Sequence, residues 1–499
     1  MKLIFMQGTI VVSTLIMCVC TVPERFAPAA SAQTVAGKHY IMKKQLGKNG
    51  PFRNLPEFLL SAYNPPYALQ GGPYEDSAFT YYQNAHFDTL LQLRDDDALM
   101  RKVHGFRFKY LLDVGSVIEK NLDLDVIRGE DYLRGEPDSA PPPITDEMLQ
   151  LLDDAIGKYR DDPNLIGYYI CDEPFPTAFQ NIAKIVQKIK EKDPIRVTFV
   201  NLWPYFKDDL GEGRDIGDDT YLEDFIRITH IKLLCSDRYN FYGDGQGNVW
   251  DDNEQYFAQL ARLRQHALAH HIPFCNIIQA VGTIGTSEGG PGCVETEEHE
   301  CLNWRTPGRA EHRWLVYSSL AYGVHGIIWF HWDGEDWGVV QNPDRDAVYS
   351  SLQSINAEIS ILKEIMLHLT TTAVFHTDDT HAAGGEGNGC QIHVLDDTPL
   401  LVGFFREEDG EKEKYFMLMN KNYSGAVSPQ ISITPRLARL QFFNVEHNKW
   451  EEVALQNSGV GTPFVVHLRA GGGKLFKFSP AAKEAVPRAC LPPIIYLLH

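Results

Sequence analysis

Eight apolar runs, separated by stretches of helical periodicity, recur between residues 55 and 366. This alternation limits the possible folds more than any other feature. The runs are FLLSAY (58 to 63), FDTLLQL (87 to 93), FRFKYLLDV (106 to 114), LIGYYIC (165 to 171), RVTFVNL (196 to 202), IKLLCSD (231 to 237), FCNIIQAV (274 to 281) and GIIWFHW (326 to 332). Between them apolar residues return with a 3.6-residue period. Met148, Leu151, Leu152, Ala155 and Tyr159 follow a Thr145 N-cap; Phe179, Ile182, Ile185, Val186 and Ile189 make a second stripe; Tyr256, Phe257, Leu260, Leu263 and Ala267 make a third. Near-continuous apolar strands separated by helices predict a parallel sheet covered on its outside. Eight such units predict an α/β fold, a (β/α)8 TIM barrel over residues 50–370, whose functional groups stand at the carboxyl ends of the strands. A doubly wound open sheet is the alternative, and no G-x-G-x-x-G supports it.

From about residue 385 the pattern changes to short strands with turn signals such as Asp409-Gly410 and no long helix. Residues 385–480 therefore read as an antiparallel β-sandwich, with 481–499 as a tail. At the other end, Lys2 precedes an apolar run to Val22, and Ala30-Ser31-Ala32 has the small-residue pattern of a signal-peptidase site. Residues 1–32 are expected to be a signal peptide and the mature chain to be secreted or periplasmic, with no membrane contact after cleavage. The formal net charge is -20, or -21 once Lys2, Glu24 and Arg25 leave with the leader. Such a surface excludes nucleic acid as a partner and favours neutral ligands.

Seven of the nine cysteines lie beyond the leader. Cys171, Cys235 and Cys275 sit in apolar runs and read as small buried hydrophobes. Cys293 and Cys301 flank the acidic loop CVETEEHEC, and in an oxidising compartment they are expected to close it as a disulfide. Cys390 and Cys490 are a further candidate pair.

The strand ends carry the chemistry. In order they offer Asn64, Asp172-Glu173, Asn201 with Trp203, Asp237 with Tyr239, Gln279, and Trp329, His331 and Trp332 with Glu335 nearby. Amides, acids and aromatics suit a neutral polyhydroxylated ligand, an oligosaccharide or polysaccharide, because rings stack on sugar faces while acids and amides bind hydroxyls. No cofactor or metal is called for. Glu173 is the candidate general acid, since desolvation and the adjacent Asp172 both raise its pKa. Strand alternation lets only one of that pair face the axis. Asp237, at a strand tip, is the favoured second carboxylate, with Glu335 the other choice; their separation from the acid selects retention at about 5 Å or inversion at about 6.5–9.5 Å. Asn64, Asp172, Asn201, Trp203, Tyr239, Gln279, Trp329, His331, Trp332 and Glu335 are the candidate substrate contacts.

The fourth strand, ending in CDEP, resembles the Asn-Glu-Pro signature of clan-A glycoside hydrolases, and TPGRAEHRWLVYSSLAYGVHGIIWFHW is similar to the segment before the last strand of the beta-galactosidase-like members. The resemblance covers most of residues 55–480. It implies a retaining barrel enzyme with Glu173 as acid/base. It also implies a glutamate at the end of strand seven, where this chain has Gln279, which cannot form a glycosyl ester. Asp172 likewise replaces the family's asparagine. Three explanations follow: a different register in strand seven, a second carboxylate from another strand, or a glycan-binding barrel that has lost its nucleophile and does not catalyse. Two other motifs are set aside. GTSEG at 285 to 289 matches a nucleophile elbow but lacks the following helix, and HTDDTH at 376 to 381 has no metal-site spacing around it.

Overall fold

The computed structural model describes residues 55, 57–66, 74–119, 126–129, 141–204, 218–284, 303–334, 337–380, 382–384, 391–407, 410, 413–434, 437–455 and 462–480. The expected signal peptide, the Cys293–Cys301 and Cys390–Cys490 pairs, Glu335, GTSEG and the tail lie outside them.

All eight apolar runs form strands. They are β1 (Leu59–Ala62), β2 (Thr89–Leu93), β3 (Lys109–Asp113), β4 (Leu165–Asp172), β5 (Val197–Asn201), β6 (Leu234–Asp237), β9 (Phe274–Gln279) and β10 (Gly326–Phe330). A hairpin of β7 (Phe241–Gly243) and β8 (Val249–Asp251) intervenes. The helices between them are α1 (Asp76–Asn84), α2 (Asp97–Phe106), α3 (Val114–Ile118), α4 (Asp146–Tyr159), α5 (Phe179–Lys192), α6 (Asp219–Thr229), α7 (Asn253–His270) and α8 (Arg309–Tyr322), and α9 (Arg345–Met366) follows β10. Thr145 caps α4 through the Met148 amide at 3.3 Å, as the sequence implies.

The strands pair in parallel as two four-stranded sheets, β2-β3-β4-β5 and β1-β10-β9-β6. The sheets meet at two seams. At one, Leu202 N–H donates to the Cys235 carbonyl at 2.9 Å, and at the other Ser61 Oγ donates to the Thr89 carbonyl at 2.9 Å. One buried cluster takes side chains from all eight strands: Leu59, Leu91, Leu111, Ile166 and Tyr169, Val197 and Phe199, Cys235, Cys275 and Ile277, and Ile328. The opposite parity, Leu60, Leu90, Leu112, Ile278 and Ile327 among others, packs with the helices in a second, larger cluster. Both faces of every strand are thus apolar, which is why the runs read as continuous rather than alternating.

The remaining strands are antiparallel. β11 (Leu369–His376), β14 (Leu400–Glu407), β15 (Glu413–Asn420), β20 (Gly473–Pro480), β17 (Leu437–Asn444) and β18 (Lys449–Glu452) form one sheet, and β12 (Ala382–Gly384), β13 (Gln391–Val394), β16 (Gln430–Thr434) and β19 (Thr462–Val465) the other. Val402, Phe404, Phe416 and Phe476 of the first share a buried cluster with Ile392, Ile431, Ile433 and Phe464 of the second. This region begins at Leu369, earlier than the expected residue 385, because threonine-rich β11 presents no long apolar run. Within HTDDTH, His376 meets Tyr322 Oη at 3.0 Å, and Lys421 holds Asp378. The sheet rests on α8, where Gly403 is obligatory, since a Cβ there would lie 2.1 Å from the Ala321 carbonyl. No helix among the described residues is long and apolar enough to cross a membrane.

Candidate active site

Period-two alternation fixes what each strand offers at its carboxyl end. Following the inward parity gives Val197, Phe199 and then Asn201 on β5, and Cys235 then Asp237 on β6. β4 breaks this rule. Its pairing slips by one residue at Ile166 against β3 and again at Ile170 against β5, so the inward set is Ile166, Tyr169 and Asp172, three apart. Regular alternation from Tyr169 would have turned Asp172 toward the helices.

Glu173, the next residue, has φ +46°, a left-handed conformation uncommon for a side chain of its kind. The expectation that only one of the two acids can turn inward therefore fails: a bulge directs Asp172 and a backbone reversal directs Glu173.

The acids meet on a shared network. Asp172 Oδ1 accepts from Tyr63 Oη and from Asn201 Nδ2, both at 2.9 Å. The same Asn201 nitrogen donates to Asp237 Oδ1 at 3.3 Å. Asp237 also lies beside Tyr239 and Glu173. Arg128 approaches Glu173 from outside, Nη2 to Oε2 3.9 Å.

Three carboxyl groups this close cannot all ionise. Burial raises Glu173 well above the usual range, and repulsion from Asp237 and Asp172 adds to it, with Arg128 opposing. Burial, then Asp172, pushes Asp237 up to about 7 against the hydrogen bonds of Tyr239 and Asn201. Burial also raises Asp172, opposed by Asn201 and Tyr63. Glu173 is thus the group that keeps its proton. Its side chain is 17% exposed.

Three buried polar atoms around the acids have no hydrogen-bond partner: Asn201 Oδ1, Trp203 Nε1 and His331 Nε2. Orphaned buried donors and acceptors are rare, and here they supply one donor and two acceptors for a polar ligand. His331 is a neutral imidazole, lowered to about 4 by burial, with Nδ1 near the Asp333 carbonyl and Asn64 Nδ2. Asn64 itself has φ +47° at the end of β1. An aromatic wall completes the surround: Phe330 lies between Tyr63 and Tyr239, at 5.8 and 4.9 Å, and Trp304 packs edge-on to Tyr239 at 4.5 Å.

Three candidate contacts stand elsewhere. Gln279 points inward, but its amide is fully engaged: Oε1 accepts from the Asn240 and Phe241 amides, and Nε2 donates to the Phe241 and Arg305 carbonyls. It pins the chain after β6 and has nothing left for substrate. Trp329 has the outward parity, is fully buried, and donates to Asn356 on α9 at 2.9 Å. Trp332 is buried among Tyr81, Tyr82 and Phe87. Phe330 and Trp304 occupy the place given to those two tryptophans; the parity from Ile328 to Phe330 would have revealed this for Trp329 but not for Trp332, which shares it. Tyr63 was legible in the same way from Leu59, whereas Arg128 lies outside any strand or helix and had no sequence signal.

No protein-family model and no curated protein matches this chain. Solved structures do. The chain is similar to a glycoside hydrolase at 13% identity, covering 86% of this chain and 94% of that one with a TM-score of 0.48. It is also similar to a glycoside hydrolase family 5 protein from Bacteroides vulgatus at 12% identity, covering 87% and 92%, TM-score 0.47. An endo-beta-1,4-mannanase from Thermotoga petrophila follows at 10%, covering 86% and 98%, TM-score 0.37. The neighbours are thus glycoside hydrolases, the class that CDEP resembles. At these scores the likeness is one of outline and leaves the chemistry to the residues themselves.

Proposed function

We propose that this chain is an exported glycoside hydrolase, a closed (β/α)8 barrel followed by a β-sandwich, with Glu173 as general acid on a neutral or weakly charged glycan. Closure is supported by the cluster that all eight strands share, since strands can fill one common space only by surrounding it. The leader-like residues 1–32 support export.

The chemistry rests on one observation, the hydrogen-bonded Tyr63–Asp172–Asn201–Asp237 network with Glu173 beside it, where burial and the neighbouring carboxyl groups raise Glu173. Two carboxyl groups close enough to shift each other's titration suit the roughly 5 Å spacing of double displacement better than the roughly 6.5–9.5 Å that accommodates an inverting water. Glu173 gives its proton to the departing glycosidic oxygen while the Asp237 carboxylate bonds to the anomeric carbon. Water, deprotonated by Glu173, then cleaves the glycosyl ester and frees Asp237. Asp237 thus supplies from strand six the nucleophile that Gln279 cannot supply from strand seven. Asn201 and Trp203 bind hydroxyls, and Phe330 offers a face for stacking.

Gln279 also favours a second reading, a glycan-binding barrel without turnover. One experiment separates them: wild type, Glu173→Gln and Asp237→Asn assayed on a panel of aryl glycosides and polysaccharides. Hydrolysis by the wild type, with kcat lower by about 10²–10⁴ in Glu173→Gln and NMR showing a retained anomeric configuration, is the expected result. Saturable glycan binding by all three without any turnover would replace the enzyme with the binder.

A further inference from the structure

Two consecutive helices bring three metal-ligating side chains together outside the cleft. Glu223 lies on α6, and His266 and His270 lie four residues apart on α7, hence on one face. Glu223 Oε2 is 2.8 Å from His270 Nε2 and 3.5 Å from His266 Nδ1. The donor atoms of all three lie within 4.8 Å of one another. A tetrahedral ion with bonds of about 2.0–2.1 Å holds its ligand atoms roughly 3.3 Å apart. The two measured separations bracket that value.

A second observation concerns the other nitrogen of His266. Nε2 lies 3.2 Å from Asp219 Oδ1, so an Nε2–H donates there and the Nδ1 lone pair is left facing Glu223 and His270. A carboxylate behind a histidine is the support that orients metal-ligating imidazoles. The His266 side chain is 8% exposed and locked by packing, whereas Glu223 is 48% exposed, leaving an open side for water. Arg262 leans on Asp219 at 3.9 Å. Other histidine–carboxylate contacts, such as His104–Asp162, bring no third ligand among the described residues.

We propose that Glu223, His266 and His270 form a binding site for a zinc-like divalent ion, with Asp219 as the positioning residue behind His266 and water completing the coordination. Two imidazoles and one carboxylate select zinc and its late first-row neighbours over calcium or magnesium, which prefer all-oxygen sites. The ion would fasten α6 to α7, the helices following the strands that carry Asn201 and Asp237. This proposal is independent of the glycosidase reading.

The test is calorimetric titration of the metal-stripped mature chain with zinc chloride. One ion per chain is expected, with calcium unable to compete. His270→Gln and Glu223→Gln each weaken binding by at least about 10-fold, and Asp219→Asn by about 10–100-fold; His104→Gln leaves it unchanged. Cobalt should give the intense visible bands of a tetrahedral site, and zinc should raise the melting temperature of the wild type but not of His270→Gln. His270 and Glu223 are partly exposed, so unfolding in chelator verifies that those variants remain folded. Absence of saturable binding, or binding that survives both substitutions, overturns the proposal.

Discussion

Asp237→Asn should lose activity and gain stability, and the gain should depend on pH. The Asp237 carboxyl is raised from an ordinary 3.8 to about 7 by burial and by Asp172. At about 1.4 kcal/mol per unit, holding it ionised in the fold costs roughly 4 kcal/mol relative to the unfolded chain. The sign follows. Below about pH 3.8 the group is protonated in both states and contributes no penalty; stability then falls as pH rises and levels off above about 7. Asparagine keeps an acceptor for Asn201 Nδ2, and its amide nitrogen can donate to the carbonyl oxygen of the Glu173 carboxyl once that group turns, so few hydrogen bonds are lost. After about 1 kcal/mol for weaker neutral bonds, the variant should be more stable than wild type by roughly 2–4 kcal/mol at pH 8. That advantage should shrink steadily toward pH 4. Urea unfolding of both proteins at pH 4, 5, 6, 7 and 8 measures it, with hydrolysis followed in parallel. An advantage that is absent at pH 8, or equal at every pH, would refute the account of three crowded carboxyl groups.

Gln279→Glu would set a carboxylate against the Phe241 and Arg305 carbonyls; it should cost at least about 2 kcal/mol in urea unfolding and add no activity to that of the wild type. Trp329→Ala should cost about 3–5 kcal/mol by thermal or urea unfolding, whereas Phe330→Ala should mainly raise KM in steady-state assays. Tyr63→Phe removes the 2.9 Å donor to Asp172, so Asp172 should keep its proton to higher pH, its repulsion of Asp237 should weaken, and the acid limb of kcat/KM should move to lower pH while the fold persists by circular dichroism.

Strand identity was written plainly because a strand buried on both faces needs apolar residues at every position, and all eight runs appear where that demand predicts. Asn201 and Asp237 were legible for a related reason: regular alternation carries an inward residue to the strand tip. Parity excludes Trp329, which ring size alone conceals, whereas Trp332 shares the parity of Ile328 and Phe330 and turns away only beyond the strand end. β11 escaped notice because Thr370, Thr371 and Thr372 interrupt its apolar pattern.

The sequence by itself determined the order of strands and helices, the acids at the tips of strands four and six, and the change to antiparallel strands near the end of the chain. Local periodicity and composition encode these directly. Only the tertiary structure decided that Asp172 and Glu173 both turn inward, that Gln279 serves the backbone, and that Arg128 and Trp304 border the cleft. Those outcomes depend on two slipped registers in β4, a reversed backbone at Glu173 and loops distant in sequence, and none of them leaves a period that local reading can detect.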